Sequence, residues 1–299
     1  MTGEGRHPPG TERSWEEAWS IEFSRADGLG GFVRLGLSPN LGVAWWWTYL
    51  ITPEQLVVVR DHEVPLPRTR DLEVRADGLW AQMVCETPME HWSIGLEAFG
   101  VALSDPIDGL RGEWGERVAV GLDLEWEECG FASTATSPAS YRQPGMVHGE
   151  LLVGTARIPF EGVGGREHSW GVSRWGGSDD FGLAFQVTDR LAGSILPGDE
   201  GRTPRGLVSR KGSPAESVAA AATEALWTPP GAPMLGTLSL AGVDLEAESL
   251  AWVAIPVPGA GTATSSFARA LVRVSSPDGE GSGWAEWLTR GEEAAPSRS

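Results

Sequence analysis

The chain has 299 residues, 41% of them hydrophobic, and a formal net charge of −18. The length allows one large domain or two of about 150 residues, and so acidic a surface repels phosphate backbones and anionic lipid, which argues against nucleic-acid partners. No apolar run approaches the roughly 20 residues of a membrane helix, and the N-terminus MTGEGRHPPGTERSWEE lacks the apolar stretch of a signal peptide; a cytoplasmic protein without stable membrane insertion is the expectation.

In chain order, residues 1–14 read as a disordered N-terminus. Alternating segments bounded by Gly and Pro follow at Trp19–Arg25, Phe32–Leu37, Val43–Ile51, Gln55–Arg60, Leu79–Cys85, Trp92–Phe99 and Val118–Trp126. The polar stretch Thr134–Gln143 then suggests a boundary. Beyond it the same pattern returns at Met146–Val153, Gly182–Thr188, Leu207–Arg210, Leu235–Leu240, Ser249–Ile255, Phe267–Val274 and Gly283–Leu288. The alanine-rich run Pro214–Trp227 fits a helix or a small-residue strand. Many short strands between turn signals predict an all-β protein of antiparallel barrels, without crossover helices. Two tandem barrels are expected, over 15–140 and 141–290, with 291–299 as a disordered tail; one large sandwich is the alternative.

Several chemistries lack their motifs. There is no phosphate-binding Gly-x-x-x-x-Gly-Lys loop, no completed dinucleotide fingerprint at Gly28-Leu29-Gly30-Gly31 and no Gly-x-Ser-x-Gly elbow. Asp179-Asp180 has no third acid at a magnesium-holding spacing, and no close histidine pair suggests zinc. Cys85 and Cys129 fit neither a metal site nor a disulfide framework. A reaction without metal or cofactor, or simple binding, is expected.

The densest chemistry lies in Arg157–Trp175, RIPFEGVGGREHSWGVSRW, where Glu167, His168, Trp170 and Trp175 follow three glycines. A carboxyl set against indole faces loses solvation and is easier to protonate, so it can donate a proton at neutral pH. A neighbouring imidazole can tune it, and indole faces can shelter positive charge. Such parts suit protonation of an alkene and control of the resulting carbocation. The structural alternative is a glycine-rich corner whose His and Glu merely satisfy backbone groups.

Glu167-His168-Ser169-Trp170-Gly171 resembles the Asp-His-(Ser/Asn)-Trp-Gly signature of the AttH-like and carotenoid 1,2-hydratase superfamily. Gln143–Gly149 resembles the strand leading into that signature, and Leu29–Gly36 with Pro39-Asn40 resembles the family's first-domain Gly-Gly-x-x-Arg-x-Gly segment. The resemblance implies two lipocalin-like barrels in tandem, a hydrophobic pocket near their interface, and action on large apolar polyenes without a redox cofactor. It carries the proton-handling roles to Glu167 and His168 and makes Trp170 a pocket wall. Glu167 stands where the family has Asp, one methylene longer, and the family's downstream Tyr-x-Asp pair is not evident around Leu191–Gly201, which favours a related reaction over carotenoid hydration itself.

Further candidates for the substrate site are Trp175, the Trp45/Trp47 face of Trp45-Trp46-Trp47, His148 beside Gly149, and His91 at a pocket mouth; a plain barrel core or contact between the domains is the competing role for Trp45 and Trp47. Arg34, in an apolar strand, needs a partner, expected to be Glu22 or Asp27. Trp284 and Trp287 are expected to pack the closing strand, and His7 and His62 to lie in loops. The expected function is a cofactor-free cyclase, hydratase or isomerase acting on a hydrophobic isoprenoid or polyene. A pericyclase and a non-catalytic binder of a lipid-like molecule are the alternatives.

Overall fold

A computed structural model describes residues 4–111, 115–131, 133–137, 139–172, 175, 180–196, 205–222, 225–228, 232–235, 237–240, 243–258 and 264–289. The first eleven strands are β1 (Trp15–Ser24), β2 (Gly30–Ser38), β3 (Val43–Ile51), β4 (Leu56–Pro65), β5 (Leu72–Ala76), β6 (Leu79–Thr87), β7 (His91–Leu103), β8 (Gly115–Glu128), β9 (Thr134–Ser137), β10 (Ser140–Val153) and β11 (Ala156–Val172), with a one-turn helix α1 (Asp108–Arg111) after β7. They form one antiparallel sheet in the order β4-β3-β2-β1-β11-β10-β8-β7-β6-β5, with β9 on β10. β7 also pairs with β4, through Leu56–Val58 and Val101–Leu103, which bends the sheet round on itself at one end.

The remaining strands are β12 (Asp180–Val187), β13 (Leu191–Leu196), β14 (Arg205–Arg210), β15 (Glu216–Ala222), β16 (Ala225–Thr228), β17 (Ala232–Leu235), β18 (Thr237–Leu240), β19 (Val243–Pro258), β20 (Thr264–Ser276) and β21 (Gly279–Thr289). Eight of them close into a barrel, β12-β13-β14-β15-β18-β19-β20-β21, and β16 and β17 form a separate hairpin. The all-β, antiparallel architecture expected from the pattern is therefore present, and it is consistent with the lipocalin-like fold that the resemblance implies; the open question over Pro214–Trp227 resolves to strands β15 and β16.

Turn chemistry sets these hairpins. Asp77-Gly78 links β5 to β6, with Gly78 at φ 74°, the left-handed geometry that two-residue hairpin loops require and glycine supplies at no steric cost.

The division of the chain differs from the expected one. The polar stretch Thr134–Gln143 is not a linker: it forms β9 and the start of β10, paired with each other. β10 and β11 belong to the first sheet, which runs to Val172, and the barrel begins at Asp180. The Glu167-His168-Ser169-Trp170-Gly171 motif thus lies on the last strand of the first unit, not in the second barrel. Polar composition misleads here because the polar side chains of β10 find partners inside the molecule: Arg142 pairs with Glu22, and Gln143 donates to the Met89 carbonyl at 2.9 Å. Nor are the described residues 4–14 loose. Glu4 is buried and paired with Arg166, Arg6 donates to the Thr69 carbonyl at 2.8 Å, and Asn40 donates to the carbonyls of Gly10 and Glu12 at 2.8 Å. The expected tail 291–299 lies outside the described residues, as do Arg174 and Asp179. Among the described residues no helix is long and apolar enough to cross a membrane.

Three hydrophobic clusters hold the molecule together: one inside the first sheet around Trp19, Trp46, Trp92 and Trp126, one inside the barrel around Phe185, Leu245 and Trp287, and one between them. The third joins Phe32, Trp45, Trp47 and Tyr49 to Val253, Ile255, Phe267, Leu271 and Trp284.

Candidate active site between the two units

β1 is buried along its whole length. In a strand, successive side chains take opposite faces, so Trp19, Ile21 and Phe23 fill the first sheet's own core. Ser20, Glu22 and Ser24 point the other way, into two adjoining cavities between the units. The larger is bounded by Pro144, Val163, Gly164 and Gly165 of the first sheet and by Phe185, Gln186, Ser194, Leu207, Val208 and Ser282 of the barrel. The smaller takes in Phe32, Arg34, Glu167, Trp175, Phe267, Arg269 and Glu286. Glu22, Arg142 and Gly165 border both. A cavity at the domain interface is where the family resemblance placed it.

A buried charge cluster forms the shared wall. Glu22, 6% exposed, takes a guanidinium on each oxygen: Arg142 from β10 on Oε1 and Arg269 from β20 on Oε2. Arg269 also donates to the Tyr49 hydroxyl at 3.2 Å and lies 3.5 Å from Glu286. Burial opposes the charge on Arg269, but Tyr49, Glu22 and Glu286 together outweigh it and raise its pKa; burial likewise raises that of Tyr49. Arg142 reaches 3.7 Å from Glu167, whose side chain is a quarter exposed. Arg34 pairs with Glu16 on the neighbouring strand, not with Glu22 or Asp27 as expected, and its guanidinium lies 5.2 Å from the Trp175 ring. Asp27 belongs to Arg25.

Beside the charges stands an aromatic wall. Trp45 and Trp47 stack at 6.1 Å, and Trp47 meets Trp175 at 5.1 Å and Phe267 at 6.1 Å. Trp47 donates its indole N–H to His62 Nε2 at 2.5 Å. His62 is on β4 rather than in a loop, and burial, with the Arg60 guanidinium adding to it, pushes its imidazole down to about 4.

The same alternation parts the two residues expected to act together. Glu167 looks into the interdomain cavity, whereas His168 looks into the first sheet. There His168 is fully buried, stacks on Trp19 at 4.6 Å and meets Glu17 at 3.0 Å. Trp170 shares that face and stacks on His7 at 4.0 Å. Arg166, also inward, lies 5.3 Å from the Trp92 ring, 5.1 Å from Trp126 and 5.2 Å from Tyr141, with Glu4 on its guanidinium; burial pushes the Tyr141 phenol up to about 12.

Of the residues singled out in the sequence, Glu167 and Trp175 border one cavity, and Trp45 and Trp47 back it as interdomain packing. His168 and Trp170 sit on the opposite face of β11. His148 is exposed on β10, and His91 bonds Glu125 at 2.6 Å; neither borders the two cavities. The glycine beside His148 serves the backbone: a Cβ on Gly149 would meet the Asp123 carbonyl at 2.1 Å. Sequence reasoning missed Arg142, Arg269 and Glu286, and so put Arg34 in the place of the two arginines that pair with Glu22. A single charge in an otherwise apolar run, as at Arg269 in Phe267–Val272, was an available signal; Arg142, in a polar stretch, offered none. Cys85 and Cys129 are free, and burial pushes the Cys129 thiol up to about 11.

Solved structures share this fold. An AttH protein from Nitrosomonas europaea superposes with a TM-score of 0.60 at 12% identity, covering 97% of this chain and 98% of that one. Kievitone hydratase from Nectria haematococca gives 0.53 at 10% identity, covering 92% and 89%. Both have the fold of the AttH-like and carotenoid 1,2-hydratase superfamily. No curated protein matches the chain. One family model does match, over residues 1–291, and the chain belongs to that family, the domain of unknown function DUF7064.

Proposed function

We propose that the chain is a non-redox enzyme of the hydratase type that acts on a hydrophobic small molecule in the cleft between its two units. The cavity between the units supports this most directly: its walls are mostly apolar, and Glu22, Arg142, Gln186 and Ser194 converge on it, the combination that ligand sites show. The fold shared with kievitone hydratase supports the same class.

In finer detail, the substrate is an isoprenoid or polyene and Glu167 handles the proton. In its acid form Glu167 gives a proton to an alkene or epoxide. Arg142, 3.7 Å away, stabilises the carboxylate that remains, which is stabilisation gained as charge develops. Trp175 offers its ring to the cation. Water then adds and returns a proton to Glu167, giving a hydrated product; attack by a second alkene of the substrate and loss of a proton to Glu167 gives a cyclised one. His168, on the other face of β11, holds the strand in this reading and touches no substrate.

Mass spectrometry of purified protein with apolar polyenes and epoxides of graded length tests this. A product heavier by one water, or an isomer of unchanged mass, is expected. Glu167→Gln should lower turnover by about 100-fold or more while leaving the melting temperature within a few degrees. Full turnover in that variant removes Glu167 from the chemistry and favours a pericyclase, for which a shaped pocket suffices. One observation favours plain binding: Glu22, Arg142, Arg269, Arg34 and Glu16 are already paired among themselves. An intact apolar ligand that co-purifies and is never converted would establish that outcome.

A further inference from the structure

On the face of β1 and β11 turned away from the cleft, three potential metal ligands converge from three segments. Glu17 is on β1, His168 on β11 and His7 in the stretch that precedes β1. In the strand register Glu17 stands opposite Trp170 and His168 opposite Trp19, so the carboxylate and the imidazole are diagonal neighbours on one face. Glu17 Oε1 lies 2.7 Å from His7 Nδ1 and 3.0 Å from His168 Nε2, and one ligand atom of each residue falls within 4.8 Å of the others.

We propose that His7, Glu17 and His168 bind a divalent transition metal of the zinc type, which pins the N-terminal segment to the first sheet. Two imidazole nitrogens and one carboxylate are a donor set that suits such an ion, and three protein ligands leave a fourth position for water. Tetrahedral coordination at zinc distances sets ligand atoms about 3.3 Å apart, so the two imidazole–carboxylate contacts, at 2.7 and 3.0 Å, open by about 0.3–0.6 Å on binding and the imidazole nitrogens settle to that spacing from within 4.8 Å of each other. The ligands are already oriented. His168 stacks on Trp19 with 17° between the planes, and His7 on Trp170 with 13°. The His7 backbone N–H donates to both Glu17 oxygens, at 3.0 and 2.9 Å, which aims the carboxylate as outer-shell hydrogen bonds do in metal sites.

Burial adds a second argument. The Glu17 side chain is 2% exposed, and its polar partners among the described residues are the two imidazoles and that one N–H. No lysine or arginine pairs with it among the described residues, in contrast to buried Glu22 and Glu4. A buried carboxylate calls for a compensating charge, and a bound cation meets that need. His7 is 27% exposed on its side chain and gives the ion a way in.

The test uses the full chain without an affinity histidine tag, stripped with a chelator and then titrated with Zn2+ and Co2+. One equivalent should bind by calorimetry, Co2+ should show the intense visible bands of four-coordination, and Zn2+ should raise the melting temperature. His7→Ala should weaken binding by at least about tenfold and abolish the zinc-dependent rise, with the far-UV spectrum unchanged. Glu17→Gln should do the same, and His62→Ala should bind as wild type. Absence of saturable binding by the wild-type chain, or equal binding by His7→Ala, overturns the proposal.

Discussion

At the scale of single residues, the pleat decides which side chains meet. Glu167 and His168 are adjacent in sequence and therefore on opposite faces of β11, one toward an interdomain cavity and one toward Trp19. The motif was legible as chemistry, but its period-two consequence was not drawn from sequence, and the partners Arg142 and Glu17 lie 25 and 151 positions away, beyond any spacing rule. His62 yields a prediction at this scale. Its imidazole titrates near 4 in the folded protein and near 6.5 in an unfolded chain. Below about pH 6.5 the unfolded chain takes up a proton that the folded one refuses until about pH 4, so the stabilisation is whole above pH 6.5 and fades as pH falls between these values. It amounts to at most about 3 kcal/mol. Urea midpoints at pH 7 and pH 5 should therefore lie closer together in His62→Gln than in wild type; equal spacing would show that His62 stays solvated in the fold.

At the scale of elements, most strands were legible because apolar alternation and Gly/Pro punctuation are local signals. Trp45-Trp46-Trp47 shows the pattern working: Trp46 enters the first sheet's core, while Trp45 and Trp47 face the barrel. What was not local failed. The unit boundary was set on composition, yet β9 and β10 are polar and paired, and the tie that holds the N-terminal segment joins Glu4 to Arg166, 162 positions apart. The barrel seam between β12 and β21 depends on close backbone approach. A Cβ on Gly283 would stand 2.1 Å from the Ala184 carbonyl oxygen and 2.6 Å from Phe185 Cα, so neither strand can yield without moving its main chain. Gly283→Ala should cost about 1–3 kcal/mol in denaturant unfolding and speed hydrogen exchange first in β12 and β21; exchange that rises uniformly would contradict a local seam defect.

At the scale of the whole molecule, the two units share a core and a buried charge. Glu22 of the first sheet is held by Arg269 of the barrel, Ser24 and Ser282 bond at 2.9 Å across the gap, and Trp284 donates to the Phe23 carbonyl at 3.2 Å. Glu22→Gln would leave Arg269, 2% exposed, with Glu286 as the one carboxylate still paired with it among the described residues. Loss of one partner of a buried pair is strongly destabilising, and a cost of about 3 kcal/mol is expected in urea. The unfolding transition should move as one for tryptophan fluorescence and far-UV signals. A first transition confined to the barrel would mean that the units are not coupled through this pair. The all-β, antiparallel class was legible from strand spacing and the lipocalin-like fold from the motif resemblance, whereas this coupling requires the three-dimensional register.

Trp47 stands at the meeting of the units, with its N–H on His62 and its ring near Trp175 and Phe267. An indole so placed emits in a dry, aromatic setting as long as the halves stay together. Any opening of the cleft that admits ligand or solvent alters that setting, so the protein carries its own optical gauge of domain separation.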